Sequence, residues 1–209
     1  MVTKDIMIKQ NNWIDITHTI DDKIPIWPST SPFKIETKTD IKTKITESYF
    51  FTNTHHGTHI DAPHHHVPNG EKIDTIDINK LCGICEVVNI KSNSISKKDV
   101  YNITENIILF KTREDLGDKF NKNYTYLEPE AAQLLVNKNV KMIGIDYLSI
   151  EKFEDKSFPS HKILLNNNVL ILESLNLKNI QQGKYQIVAL PIKIKAEAAP
   201  CRVIISHLT

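Results

Sequence analysis

Hydrophobic positions along this chain fall in short runs rich in β-branched residues, and only rarely in the three-to-four spacing of an amphipathic helix. KITESYFFT (44–52), ICEVVNI (84–90), NIILFKT (106–112), VKMIGID (140–146), VLILES (169–174), YQIVALPIKI (185–194) and CRVIIS (201–206) each read as a strand. VKMIGID and VLILE are apolar almost without interruption, which predicts strands buried on both faces. SPFKIETKTDIKTK (31–44) alternates instead, and predicts a half-exposed antiparallel strand. A helix is predicted from Glu128 to Lys138: Pro129 suits the first turn, acidic residues sit near the start, and Ala132, Leu135 and Val136 share one face. A second helix is expected to start near Ser160. The pattern predicts an α/β fold, with a mixed, largely antiparallel sheet flanked by a few helices. With 209 residues, no internal repeat and no Pro/Gly/Ser linker, residues 1–209 read as a single domain.

Composition narrows the partners. Hydrophobic residues make up 40% and charged residues 24%, enough for a full core. Lys plus Arg total 26 against 25 for Asp plus Glu, so a net charge of +1 offers no field for a phosphate backbone, and no nucleic acid is expected as a partner. No run approaches the roughly 18 apolar residues of a membrane span, and the opening MVTKDIMIKQNNWID has no stretch resembling a signal peptide. The expectation is a soluble, cytoplasmic protein with no membrane partner. Cys82, Cys85 and Cys201 are an odd number without a secretion signal, so they read as reduced structural thiols. No second Cys pair completes a zinc ribbon around the Cys82/Cys85 pair.

The candidate chemistry is concentrated in HHGTHIDAPHHH (55–66), which holds six of the nine histidines. Gly57 and Pro63 argue against a continuous helix, so the spacing belongs to a loop or strand end. His59 and Asp61, two apart, point to one side of an extended segment, and a turn at Gly57 can bring His55 back to join them. Two imidazoles and a carboxylate suit Zn2+, Mn2+ or Fe2+ and leave coordination positions open for water. Solvated loop histidines, a structural zinc site and a metal buffer are the bland alternatives. A structural site usually recruits Cys, and a buffer would tolerate any order of His, so a catalytic metal site leads.

His55, Gly57, Thr58, His59, Asp61, Pro63 and His65 form an HxGTHxDxPxH pattern that resembles the cyclase family of metal-dependent hydrolases, which includes bacterial kynurenine formamidases (arylformamidases) and isatin hydrolases. The early PIWP segment, TYLEPEAAQLL, GIDYLSIE, SHKILLNNNVLILESL and the APCRV ending resemble that family in the same order, so the resemblance covers nearly the whole chain. It implies a cyclase-like, swivelling β/β/α type of fold. It also implies two divalent ions per subunit, Zn2+ or Mn2+, with His55, His59 and Asp61 holding one while Asp61, His161 and Glu173 hold the second. His65 would be the acid/base residue and Trp27, in IPIWPST, would line the substrate pocket. His56, His64 and His66 are not needed by the pattern. Ser29 and Thr30 follow Trp27 where formamidases often have Gly and Asp, and Phe158 precedes Pro159 and Ser160 where an Asp before the Ser is common.

The resemblance implies a hydrolase of a carbon–nitrogen bond in a linear or cyclic amide, acting on a small-molecule substrate as a homodimer or larger. Arylformamidase, hydrolysing N-formylkynurenine to kynurenine and formate, is the leading named activity. An isatin-type or other cyclic-amide hydrolase is the alternative among enzymes, and a non-catalytic metal-binding module the alternative outside them. No GxSxG elbow is present, so a covalent acyl-enzyme need not be invoked.

Overall fold

The structure is a computed structural model that describes residues 12–113 and 115–208. Residues 1–11, most of the opening segment considered above, lie outside the described residues. In chain order the elements are β1 (Ile14–Asp15), β2 (Lys34–Thr39), β3 (Thr46–Phe51), β4 (His59–Asp61), β5 (Cys82–Asn89), β6 (Ser94–Ile95), α1 (Lys97–Val100) and β7 (Ile107–Lys111). They continue with β8 (Tyr126–Leu127), α2 (Pro129–Asn137), β9 (Met142–Ile145), α3 (Pro159–Asn166), β10 (Leu170–Glu173), β11 (Gly183–Pro191) and β12 (Ala198–His207).

The sheet is mixed, as its pattern predicts, but it closes on itself. Its order is β1-β12-β11-β5-β7-β9-β10-β4, and β4 pairs back onto β12. The seven strands from β12 round to β4 therefore form a barrel, with β1 added on the outside edge of β12. Strands β5, β7, β9 and β10 run parallel to one another, while every pairing made by β4, β11 and β12 is antiparallel. An expectation of a largely antiparallel sheet thus holds for only part of it. Closure rests on Ala198, Ala199 and Pro200 facing Asp61, Ile60 and His59, a long-range pairing that no local periodicity encodes.

Alternation sorts the side chains into two layers. Ile60, Leu109, Leu172, Ile187 and Val203 point into the barrel interior, where they pack with buried Cys85 and Cys201. Ile108, Phe110, Ile143 and Ile171 point outward and are covered by Ala131, Ala132 and Leu135 of α2 and Leu164 and Leu165 of α3. The continuous apolar runs are thus buried on both faces, because the parallel strands carry helices outside and core inside. All three cysteines are free thiols.

One expectation needs correcting. β2 and β3 pair as an antiparallel hairpin, but every residue of both strands is exposed on both faces, so neither is a half-buried strand. Alternation encodes two faces without saying what covers either one. Among the described residues, no helix is long and apolar enough to cross a membrane.

Candidate metal centre

Strand β4 positions the first residues of the site. Ile60 enters the barrel core, so His59 and Asp61 must face outward, and both are fully buried. Gly57 takes a positive φ of 64° in the turn before β4, a conformation that favours glycine. Its carbonyl accepts a hydrogen bond from His59 Nδ1 at 2.8 Å, which turns Nε2 toward the site. The same turn returns His55, whose Nδ1 lies 2.9 Å from Asp61 Oδ1 and whose Nε2 lies 3.5 Å from Glu197 Oε1. Pro63 opens a short 3-10 turn, Pro63–His65, that carries His65 back over the site, with its ring centroid 4.3 Å from that of His55.

The other side comes from α3 and β10. Glu173 ends β10 directly opposite His59, and its Oε2 lies 3.4 Å from His59 Nε2. Its Oε1 accepts the Ile150 N–H at 2.8 Å. His161 sits in the first turn of α3, with Nε2 3.5 Å from Glu173 Oε1 and 3.8 Å from Asp61 Oδ2. Its Nδ1 lies 3.0 Å from Glu151 Oε2.

The donor set fits a divalent cation. Both Asp61 oxygens and His59 Nε2 are buried without a hydrogen-bond partner. Leaving such atoms unmatched costs kilocalories each unless something else meets their lone pairs. The ligand atoms of each grouping lie within 4.8 Å of one another, close enough for one cation to meet all of them. Two compact groupings share Asp61: His55–Asp61–His65 and His59–Asp61–Glu173. A third, His65–His66–His161, lies beside them. In space, therefore, His59 groups with Asp61 and Glu173, whereas His55 groups with Asp61 and His65.

Charge follows the same layout. Burial raises the cost of ionising Asp61, but the neighbouring His55, His65 and His59 imidazoles hold its carboxyl well below the usual carboxylate range. Burial opposes charge on His161, yet the Glu151 and Glu173 carboxylates raise its pKa to about 10. His55 is likewise raised by Asp61 against its burial. His65 moves the other way: its burial outweighs the pull of Asp61, so its pKa lies below 6.5. Burial, with His65 and His161 adding repulsion, lowers His66 to about 4.

A cavity of about 260 Å³ opens beside these groups, walled by Trp27, Thr30, Asn53, Leu148 and Phe158, with His55, His65, His66, His161 and Glu173 at its polar end. Trp27 is held edge-on by Phe120 and Phe153, with centroids 5.1 and 5.6 Å away. His56 is buried, contacts Phe33 and belongs to none of the ligand groupings. Sequence reading did not single out Glu151, Glu197 or the Gly57 carbonyl, each of which meets the outer nitrogen of a site histidine. Glu151 closes the GIDYLSIE stretch, but only the fold brings it beside His161.

The chain is similar to known proteins over most of its length. A family model described as "Putative cyclase" matches residues 14–152. The chain is 31% identical over 209 residues to a kynurenine formamidase of Bacillus cytotoxicus, covering 96% of this chain and 100% of that protein. A solved structure described as a potential metal-dependent hydrolase with cyclase activity superposes at a TM-score of 0.83 and 33% identity, covering 94% of this chain and 98% of that one. Isatin hydrolase A from Labrenzia aggregata, solved with benzyl benzoate, shares the fold at a TM-score of 0.78 and 20% identity, over 94% of each chain.

Proposed function

The chain belongs to the cyclase family, and from that premise we propose that it is a metal-dependent amidohydrolase whose substrate is N-formylkynurenine, released as kynurenine and formate. The observation that carries this reading is the buried Asp61 carboxylate, its oxygens facing the imidazoles of His55, His59 and His161 behind an aromatic-walled cavity that Glu173, His55 and His161 line. Likeness to a kynurenine formamidase over 96% of this chain and the whole of that protein supports the named substrate.

An amide resists water because water is a weak nucleophile and an amine departs poorly until it is protonated. Divalent cations at such a site acidify water and polarise a carbonyl oxygen. Two such ions, Zn2+ or Mn2+, would be held by His55, His59, Asp61, His161 and Glu173. His65 is neutral at pH 7, because its burial holds its pKa below 6.5. It can therefore accept a proton on the attacking side and deliver it to the departing nitrogen. Trp27, braced by Phe120 and Phe153, offers its ring to the aromatic ring of the substrate. Leu148 and Phe158 add apolar surface to the same cavity.

We place the activity in one domain spanning residues 1–209 and in the cytoplasm, where three free thiols stay reduced. We also read the protein as a homodimer or larger. The fully exposed hairpin with Ile35, Tyr49, Phe50 and Phe51 supports this, because an isolated two-stranded hairpin is marginal in water. Metal content of the purified protein, measured beside hydrolysis of N-formylkynurenine and of isatin, tests the reading. Bound metal with turnover of the formamide is expected. Turnover of isatin alone would move the assignment to cyclic amides, and metal without turnover would make the protein a binding module.

A further inference from the structure

A segment outside the ligand set ties two of its members together. Residues 149–151 follow β9 and run past the start of α3. There the Ile150 N–H donates to Glu173 Oε1 at 2.8 Å, and the next side chain, Glu151, faces His161 Nδ1 at 3.0 Å. Glu151 is buried and also accepts the His161 backbone N–H at 3.1 Å, so one carboxylate holds both the ring and the main chain of the same residue. The segment is itself fixed: the Tyr124 hydroxyl donates to the Glu151 carbonyl at 2.6 Å, and the Leu127 N–H donates to the Ile150 carbonyl at 2.8 Å.

We propose that Glu151 is a positioning residue: it holds the proton of His161 on Nδ1, presents Nε2 to the cation shared with Glu173, and thereby sets the affinity of that cation position. The proposal deepens the metal-dependent reading above and rests on it. An imidazole bound through one nitrogen needs its other N–H directed at an acceptor. A carboxylate acceptor fixes ring and tautomer together and makes the ring a stronger donor. The three site histidines use different partners for this purpose. His59 has the Gly57 carbonyl and His55 has the half-exposed Glu197, whereas His161 alone has a fully buried carboxylate on a clamped segment. Of the three, the His161 position should respond most strongly to loss of its partner.

The test is a Co2+ titration of the whole chain, followed by absorbance in competition with a chelator, for wild type, Glu151→Gln, His161→Gln and the double variant. Glu151→Gln is expected to weaken, by roughly 10- to 100-fold, the equivalent that His161→Gln also weakens. The other equivalent should keep its affinity, and adding Glu151→Gln to His161→Gln should change nothing further. A residue with a merely structural role would weaken all equivalents together, and that result, or no weakening, overturns the proposal. Should Glu151→Gln fail to fold, the state of His161 in the Zn2+-loaded wild-type protein decides: 15N-correlated NMR should find a proton on Nδ1 and none on Nε2, and an unprotonated Nδ1 in the loaded protein overturns the proposal. A wild-type chain that binds no Co2+ at all would remove the metal reading itself and this proposal with it. The other adverse results leave wild-type binding intact.

Discussion

Glu173 and His59 face each other across the β10–β4 pair, and Glu173 Oε2 lies 3.4 Å from His59 Nε2. Their separation is set by backbone register rather than by loop conformation, because Ile171 and Leu172 pair with Asp61 and Ile60 in the same ladder. A ligand pair built this way is held as rigidly as the barrel itself. The shared residue of the site, Asp61, lies on the same short strand.

Asp61 should therefore be the substitution that empties the site. Asp61→Ala removes a carboxylate that belongs to both compact ligand groupings and is expected to strip bound metal, whereas His56→Ala should leave metal content nearly unchanged. Elemental analysis of the two purified variants checks this, and equal loss in both would contradict it. Chelation should also lower the melting temperature of wild type. A ligand bound only to the folded state contributes about 2.7 kcal/mol at a hundredfold excess over Kd.

His65 separates chemistry from binding. If it moves the proton, His65→Ala should lower kcat by roughly 10²- to 10⁴-fold with metal content retained. Its ring stands close enough to His55 and Asp61 to serve as a ligand instead. Loss of metal together with activity would assign it that role. The defect should shrink on amides whose amine departs easily, since those need less protonation.

Metal affinity should rise with pH. In the metal-free protein burial opposes charge on His161, but Glu151 and Glu173 raise its pKa from 6.5 to about 10. That protonation contributes stability fully present below pH 6.5 and lost as pH rises through about 10. A cation needs Nε2 free, so binding must expel the proton. Calorimetry at pH 7.5 in buffers of differing ionisation enthalpy should show proton release, and affinity should climb between pH 6.5 and 9. Flat affinity without proton release would rule this out.

Gly57 links backbone conformation to the site. A Cβ there would meet Ile20 Cγ1 at 2.8 Å on a residue whose φ is 64°. Gly57→Ala should cost on the order of 1–3 kcal/mol of stability, read as a lower denaturation midpoint. It should also weaken metal binding, because the displaced carbonyl is the partner of His59 Nδ1. A variant that melts and binds metal like wild type would show that the turn is not constrained.

Much of this arrangement was legible in the chain, for identifiable reasons. Six of the seven barrel strands, all but β4, announce themselves through β-branched runs, and α2 through Pro129 and its apolar face. His59 and Asp61 could be placed on one side because strand alternation is local. Pairing was not legible. Nothing near Asp61 states that Ala198 lies on one side of it and Ile171 on the other, so barrel closure had to come from the structure. For the same reason Glu151 was passed over: a Glu ending an apolar stretch reads as a surface charge until α3 folds against it. His161 and Glu173 were reached through family resemblance, since a histidine at a helix start and a glutamate at a strand end carry no signal of their own.

The most direct measurement is formate release from N-formylkynurenine by chelated protein before and after loading with Zn2+ or Mn2+. Negligible turnover is expected without metal, with recovery on loading for wild type and none for Asp61→Ala under the same loading. Loaded wild-type protein that releases no formate and opens no other amide or lactam would contradict the proposed function, as would turnover that survives complete removal of metal.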